Sequence, residues 1–135
     1  MARSTRDLVT DYLAAVGERR FEDLGALLHP DATFGGTVAG RFEGREAFVD
    51  AFSRLGPIIA RNDLREIVVE GDRAFVLYDF VTDTEVGPVL SAELVTCEGG
   101  LIRSSILLFD QRRWPEVMQE LTRRATPPAV ASPDQ

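Results

Sequence analysis

With 135 residues, 44% of them hydrophobic and 27% charged, the chain suits one soluble domain with a sizeable core. A net charge of −7 and a pI near 4.7 leave no basic stripe to neutralise phosphates, which argues against a nucleic-acid partner. No run approaches the ~18 apolar residues of a membrane helix, and MARSTRDLVTDY lacks the apolar core of a signal peptide, so a cytoplasmic protein is expected.

Ser4 or Thr5 can cap a first helix in which Leu8, Val9, Tyr12, Leu13 and Val16 form one apolar stripe, with Gly17 as its stop. Phe21 to Leu28 reads as a short second helix, broken by His29-Pro30-Asp31. Ala32-Thr33-Phe34 then starts a short strand running into Gly35-Gly36. Phe42-Glu43-Gly44 leads into a third helix, Arg45 to Leu55, which buries Phe48, Val49, Phe52 and Leu55 and ends at Gly56-Pro57. Asn62 to Glu70 is a strand, and Gly71-Asp72 is a tight hairpin turn.

The stretch from Arg73 to Asp110 reads as a three-stranded meander: RAFVLYDFVTD, PVLSAELVTC and LIRSSILLFD, separated by TEVG and by Glu98-Gly99-Gly100. With a period of two, one face carries Val76, Tyr78, Phe80 and Thr82, then Leu90, Ala92, Leu94 and Thr96, then Arg103, Ser105, Leu107 and Phe109. The other carries Asp79, Glu93, Ile106 and their neighbours of the same parity. Both faces are largely apolar, so one is expected to line a core or pocket and the other to meet a second subunit. Trp114 to Ala125 is a last helix with Pro115 in its first turn and Val117, Met118 and Leu121 on one side. The domain is expected over 1–125, and TPPAVASPDQ, residues 126–135, as a disordered tail.

Helices followed by a meander give an α+β layout. The order helix, helix, LLHPDATF, the FEGREAF helix start and the meander with its Gly-Asp turn resemble the nuclear transport factor 2-like superfamily, over about Leu8 to Leu121. That group includes SnoaL-like polyketide cyclases, ketosteroid isomerases and limonene-epoxide hydrolases. The resemblance implies a cone-shaped, curved, mostly antiparallel sheet with N-terminal helices on its concave face, and a pocket at the open end of the cone. It supports many chemistries and several binding-only members.

Three activities can be compared residue by residue with what the resemblance implies. An isomerase uses an aspartate base, a tyrosine and a protonated aspartic acid as oxyanion donors. Tyr12 stands where the tyrosine would be, but Gly36 occupies the base position, and the acid falls near Ala92, with Glu93 one step off. The Asp-Arg-Asp set of an epoxide hydrolase falls on Phe80, Thr82 and Leu107. Leu107 also stands where a SnoaL-like cyclase would place a pocket acid or base.

Several polar residues carry two readings. Tyr12 is either a core tyrosine or a pocket hydroxyl that polarises a carbonyl. Arg103 is either a salt-bridged strand residue or a binder of an anionic group. Asp79 and Glu93, paired across the hairpin if its turn centres near Val86, are either solvated outer residues or two carboxyls sharing a proton. His29 reads as a turn residue and Cys97 as a small core-edge residue. With one histidine and no ligand spacing, neither a metal nor a cofactor is expected.

The expected function is a cytoplasmic, homodimeric pocket protein for a small apolar molecule of polyketide, terpene or steroid type, acting as a cyclase, isomerase or lyase. Tyr12 and Arg103 are its candidate catalytic groups, with Asp79 and Glu93 behind them. Phe34, Val76, Tyr78, Phe80, Thr82, Leu94, Ser105, Leu107 and Phe109 are the candidate binding residues, and the outer sheet face is the dimer surface. A non-catalytic binding or dimerisation module of the same fold is the alternative.

Overall fold

A computed structural model describes residues 3–36 and 40–125 of the chain; the expected tail at 126–135 lies outside the described residues. The first helix, α1 (Thr5–Gly17), starts where the Ser4 hydroxyl accepts the Asp7 N–H at 3.1 Å. Its stripe Leu8, Val9, Tyr12, Leu13 and Val16 is buried. The helix ends with Arg20 N–H on the Ala15 carbonyl and Arg19 N–H on that of Val16, with Arg19 left-handed at φ 58°. The last helical residue is thus Gly17, the expected stop, and the left-handed residue that closes the end is Arg19. A Cβ at Gly17 would stand 2.6 Å from the Asn62 amide nitrogen, so this glycine lets α1 lie close against the sheet.

Helix α2 (Phe21–Leu27) gives way directly to strand β1 (Leu28–Gly36). The expected break at His29-Pro30-Asp31 is instead the irregular start of that strand. Its register against the last strand shifts between Leu28 and Thr33, which accommodates a proline that cannot donate to the ladder. A short strand, β2 (Gly40–Glu43), not anticipated from the sequence, pairs back onto β1 and leads into α3 (Arg45–Ser53). The 3-10 turn Gly56–Ile58 closes that segment.

Four long strands follow: β3 (Ile59–Glu70), β4 (Arg73–Thr82), β5 (Pro88–Glu98) and β6 (Leu101–Phe109), and then helix α4 (Trp114–Ala125). The sheet order is β2-β1-β6-β5-β4-β3. Every pairing is antiparallel except β1 with β6, so the six-stranded sheet is mixed and does not close. Its concave side holds α1, α3 and α4 over one core, in the expected α+β cone arrangement. Among the described residues no helix is long and apolar enough to cross a membrane.

Two register details decide which side chains enter the cone. Strands β4 and β5 pair Asp79 with Leu90, Tyr78 with Ser91 and Val76 with Glu93. The five-residue connection 83–87 thus centres the hairpin earlier than Val86, and Asp79 does not face Glu93. Because this shift is an odd number of residues, it reverses the face of β5: Val89, Ser91, Glu93, Val95 and Cys97 point inward, and Leu90 and Leu94 outward. The second detail is an irregularity between β5 and β6, where Thr96 opposes Ser104 but Cys97 opposes Ile102. Arg103 is left over at this bulge, so Ile102 and Ser105 both face the core.

Candidate functional site

The strand inversion places a carboxyl group in the core. Glu93 is 1% exposed, and three hydroxyls surround it. Tyr12, from α1, donates to Oε1 at 2.6 Å, and Ser105, from β6, donates to the same oxygen at 2.5 Å. Tyr78, from β4, donates to Oε2 at 2.5 Å. Tyr78 and Ser105 each sit diagonally across from Glu93 on neighbouring strands, within reach of its long side chain. Tyr12 is held from the other side by edge-on contacts with Phe48 and Phe52 of α3.

Electrostatics follow from that burial. Removal from water raises the Glu93 carboxyl above the ordinary carboxylate range, and the hydrogen bonds from Ser105, Tyr12 and Tyr78 pull it part of the way back. Tyr12 and Tyr78 are both pushed well above the usual phenol value, first by burial and then by the neighbouring Glu93 charge. Both tyrosines are neutral donors at ordinary pH. An ionised Glu93 accepts all three hydroxyl protons. A neutral Glu93 must give one proton to a neighbour and turn that neighbour's own hydroxyl elsewhere.

Beside this cluster lies an apolar cavity of about 270 Å³ between the sheet, α3 and α4. Phe34, Phe80, Leu107 and Phe109 form part of its wall, and Trp114 closes one side against Phe80 and Phe109. Tyr78 and Ser91 are its polar wall residues from the sheet, and Arg54 joins them from the end of α3. Tyr78 is the member of the Glu93 cluster that also lines the cavity. It therefore links the apolar space to the buried acid.

Other residues singled out from the sequence lie elsewhere. Val76 is fully buried in the core, and Leu94 is 38% exposed on the outer face, so the cavity wall contains neither. Thr82 faces inward, but its hydroxyl bonds the Gly87 carbonyl and Thr84 and thereby holds the β4–β5 connection. Arg103 lies outside the cavity: the bulge turns it to donate to the Asp31 carbonyl and to pair with Glu98 at 3.3 Å. Asp79 is outside as well, chelated by Arg65 at 2.8 and 3.1 Å. His29, expected in a turn, lies instead at the irregular start of β1, where its Nδ1 accepts the Asp31 N–H. Cys97 is buried, and burial raises its thiol pKa. Among the described residues no three His, Cys, Asp or Glu side chains converge as a metal site.

Sequence reasoning named Glu93 but turned it away from the pocket, and it missed Ser91 and Trp114 as wall residues. Ser91 follows from the same inversion as Glu93. For Glu93 a signal was available: it is an acid in the middle of a largely apolar strand and lies one position from where the resemblance placed one.

The comparisons with known proteins agree with this architecture. Residues 9–105 match the SnoaL-like domain family. An NTF2-like protein of unknown function from Cytophaga hutchinsonii superposes with a TM-score of 0.71 at 24% identity, covering 84% of this chain and 96% of that one. A de novo designed protein with a curved β-sheet gives 0.74 at 21% identity, over 92% and 99% of the two chains. A ketosteroid isomerase-like protein from Kribbella flavida gives 0.69 at 19%, over 78% and 77%. No curated protein matches the chain. The structural likenesses are likenesses of fold, and the family follows from the sequence match, which spans most of the cone from α1 to β6: the chain belongs to the SnoaL-like domain family.

Proposed function

We propose that the protein is an isomerase- or cyclase-type enzyme that moves a proton on a small apolar carbonyl compound, with Tyr78 and Glu93 as the working pair. The observation that carries this reading is the position of Tyr78, in the cavity wall and at 2.5 Å from a buried carboxyl. In the forward relay a substrate C–H proton passes to the Tyr78 oxygen while the Tyr78 proton passes to Glu93. The reverse relay returns a proton to another atom of the substrate. Tyr78 is neutral before and after, and Glu93 alternates between carboxylate and acid. Burial raises the Glu93 carboxyl above the ordinary carboxylate range, the direction that favours a group alternating between carboxylate and acid. Tyr12 and Ser105 hold Oε1 and so aim Oε2 at Tyr78. Tyr12 is a positioning residue in this scheme, and Arg103 and Asp79 have no part in it.

At about 270 Å³ the cavity lies just below the roughly 300–1,000 Å³ range of ligand pockets, which favours a mono- or bicyclic substrate over a full steroid. The test is exchange of the α-protons of small enolisable ketones, such as decalone, into D2O, followed by NMR. The wild-type protein is expected to accelerate exchange, and Tyr78→Phe and Glu93→Gln are each expected to lose about 10²–10⁴ of that acceleration. A ketone that perturbs the fluorescence of Trp114 without any exchange would replace this reading with the binding-only one.

A second copy of the chain on the convex sheet face completes the proposal. Val68, Phe75, Leu90, Ile106 and Leu108 are all exposed there, an apolar area that a solitary domain would leave in water.

A further inference from the structure

The chain contains no lysine, and its 15 basic residues are all arginine. Nearly all have an evident occupation. Arg65 holds Asp79, Arg103 holds Glu98, Arg124 holds Asp83, and Arg19 and Arg45 donate to backbone carbonyls. Among the described residues, only Arg6 and Arg54 show no side-chain hydrogen bond or ion pair. Arg6 lies on α1, away from the cavity. Arg54 is an exposed wall residue of the cavity.

Arg54 also has an acid within easy reach that it does not hold. Asp50 precedes it by four residues at the end of α3, an Asp-to-Arg spacing and order that favour an ion pair. In a chain of net charge −7, an arginine left unpaired beside such a partner stands out. The wall around it is aromatic and aliphatic, and it contains no Asp, Glu or His. The site is therefore apolar in its body, with one planar cation at the edge and the Tyr78 and Ser91 hydroxyls on the sheet side.

We propose that Arg54 is a specificity determinant and that the ligand is an apolar acid: a hydrophobic ring or chain inside the cavity with a carboxylate on the Arg54 guanidinium. The guanidinium fork matches a carboxylate through two parallel hydrogen bonds, and its exposure lets it act without a prior desolvation cost. This inference rests on the reading of the cavity as a small-molecule site and narrows its substrate class. One end of the ligand is fixed at Arg54, which leaves a polar group further along the body to reach Tyr78.

The experiment uses the single tryptophan, Trp114, which is itself in the wall, as the reporter. The full chain is titrated with 4-phenylbutanoate and with 4-phenylbutanamide, which differ in charge but little in shape, at neutral pH and low ionic strength. The carboxylate is expected to bind at least about tenfold more tightly than the amide, equivalent to ~1.4 kcal/mol. Arg54→Gln should bring the carboxylate down to the affinity of the amide and leave the amide unchanged. Arg54→Lys should retain part of the preference, Arg6→Gln all of it, and added salt should weaken the carboxylate alone. Equal affinities of the two probes for the wild type, or full retention of carboxylate binding in Arg54→Gln, would overturn the assignment while leaving the cavity as a binding site. Failure of both probes to perturb Trp114 would overturn the assignment and the cavity reading together.

Discussion

Glu93 offers the sharpest test at the scale of single residues, because its stability contribution has a definite sign. Its carboxyl is raised above the ordinary value of 4.5 in the folded protein. Below that value it is neutral in both the folded and unfolded states. As pH rises, the unfolded chain releases its proton first, so the folded state holds more protons and stability falls until the folded group has also titrated. Each unit of elevation costs about 1.4 kcal/mol by the top of that window. Glu93→Gln removes the titration but keeps the shape. Urea unfolding across a pH series should therefore show wild type losing stability relative to Glu93→Gln as pH rises from about 4.5 toward neutrality. A difference that stays flat over that range would mean that the carboxyl is not held in an elevated state. The three hydroxyls around it explain why a charged form is tolerated at all: each supplies a hydrogen bond that water would otherwise provide.

At the scale of elements, the pairing of β1 with β6 explains why one route to isomerase chemistry is closed. Gly36 stands where the resemblance would put an aspartate base, and a Cβ there would lie 2.6 Å from the Leu107 carbonyl oxygen. That neighbour is backbone in a strand partner and cannot move aside without opening the ladder. Gly36→Asp should therefore destabilise the protein by about 2–3 kcal/mol and create no new proton-transfer activity. Gly35→Ala, whose Cβ would meet the Gly40 carbonyl at an ordinary 3.5 Å, should cost less. Urea unfolding of the two variants checks the order, and equal losses would show that the contact at Leu107 is not the cause. Much of the arrangement of elements was legible beforehand, because helix stripes, the Gly71-Asp72 turn and β-rich runs are local signals. Which face of β5 enters the cone was not. That depends on where the connection 83–87 centres the hairpin, and a change of three residues inverts the strand. The bulge at Arg103 was hidden for the same reason: a period of two read along one strand cannot register a residue that its partner skips.

For the whole molecule, the two faces of the sheet divide the work. The concave face is closed by α1, α3 and α4 around the cavity and the Glu93 cluster. The convex face is left with Val68 at 58% exposure, Ile106 at 54% and Leu108 at 52%, beside the Arg65–Asp79 ion pair. A charge on the convex side should affect association without disturbing the cavity, because successive side chains of a strand point to opposite faces of the sheet. Val68→Glu combined with Ile106→Glu is expected to convert a dimer to a monomer in light scattering after size exclusion. Trp114 fluorescence and the affinity for an apolar carboxylate should stay as in the wild type. A wild-type protein that is already monomeric at high concentration would remove the second copy from the proposal. A double variant that also loses the Trp114 signal would show instead that the convex residues support the cone, and that association and the binding site cannot be separated along the two faces of one sheet.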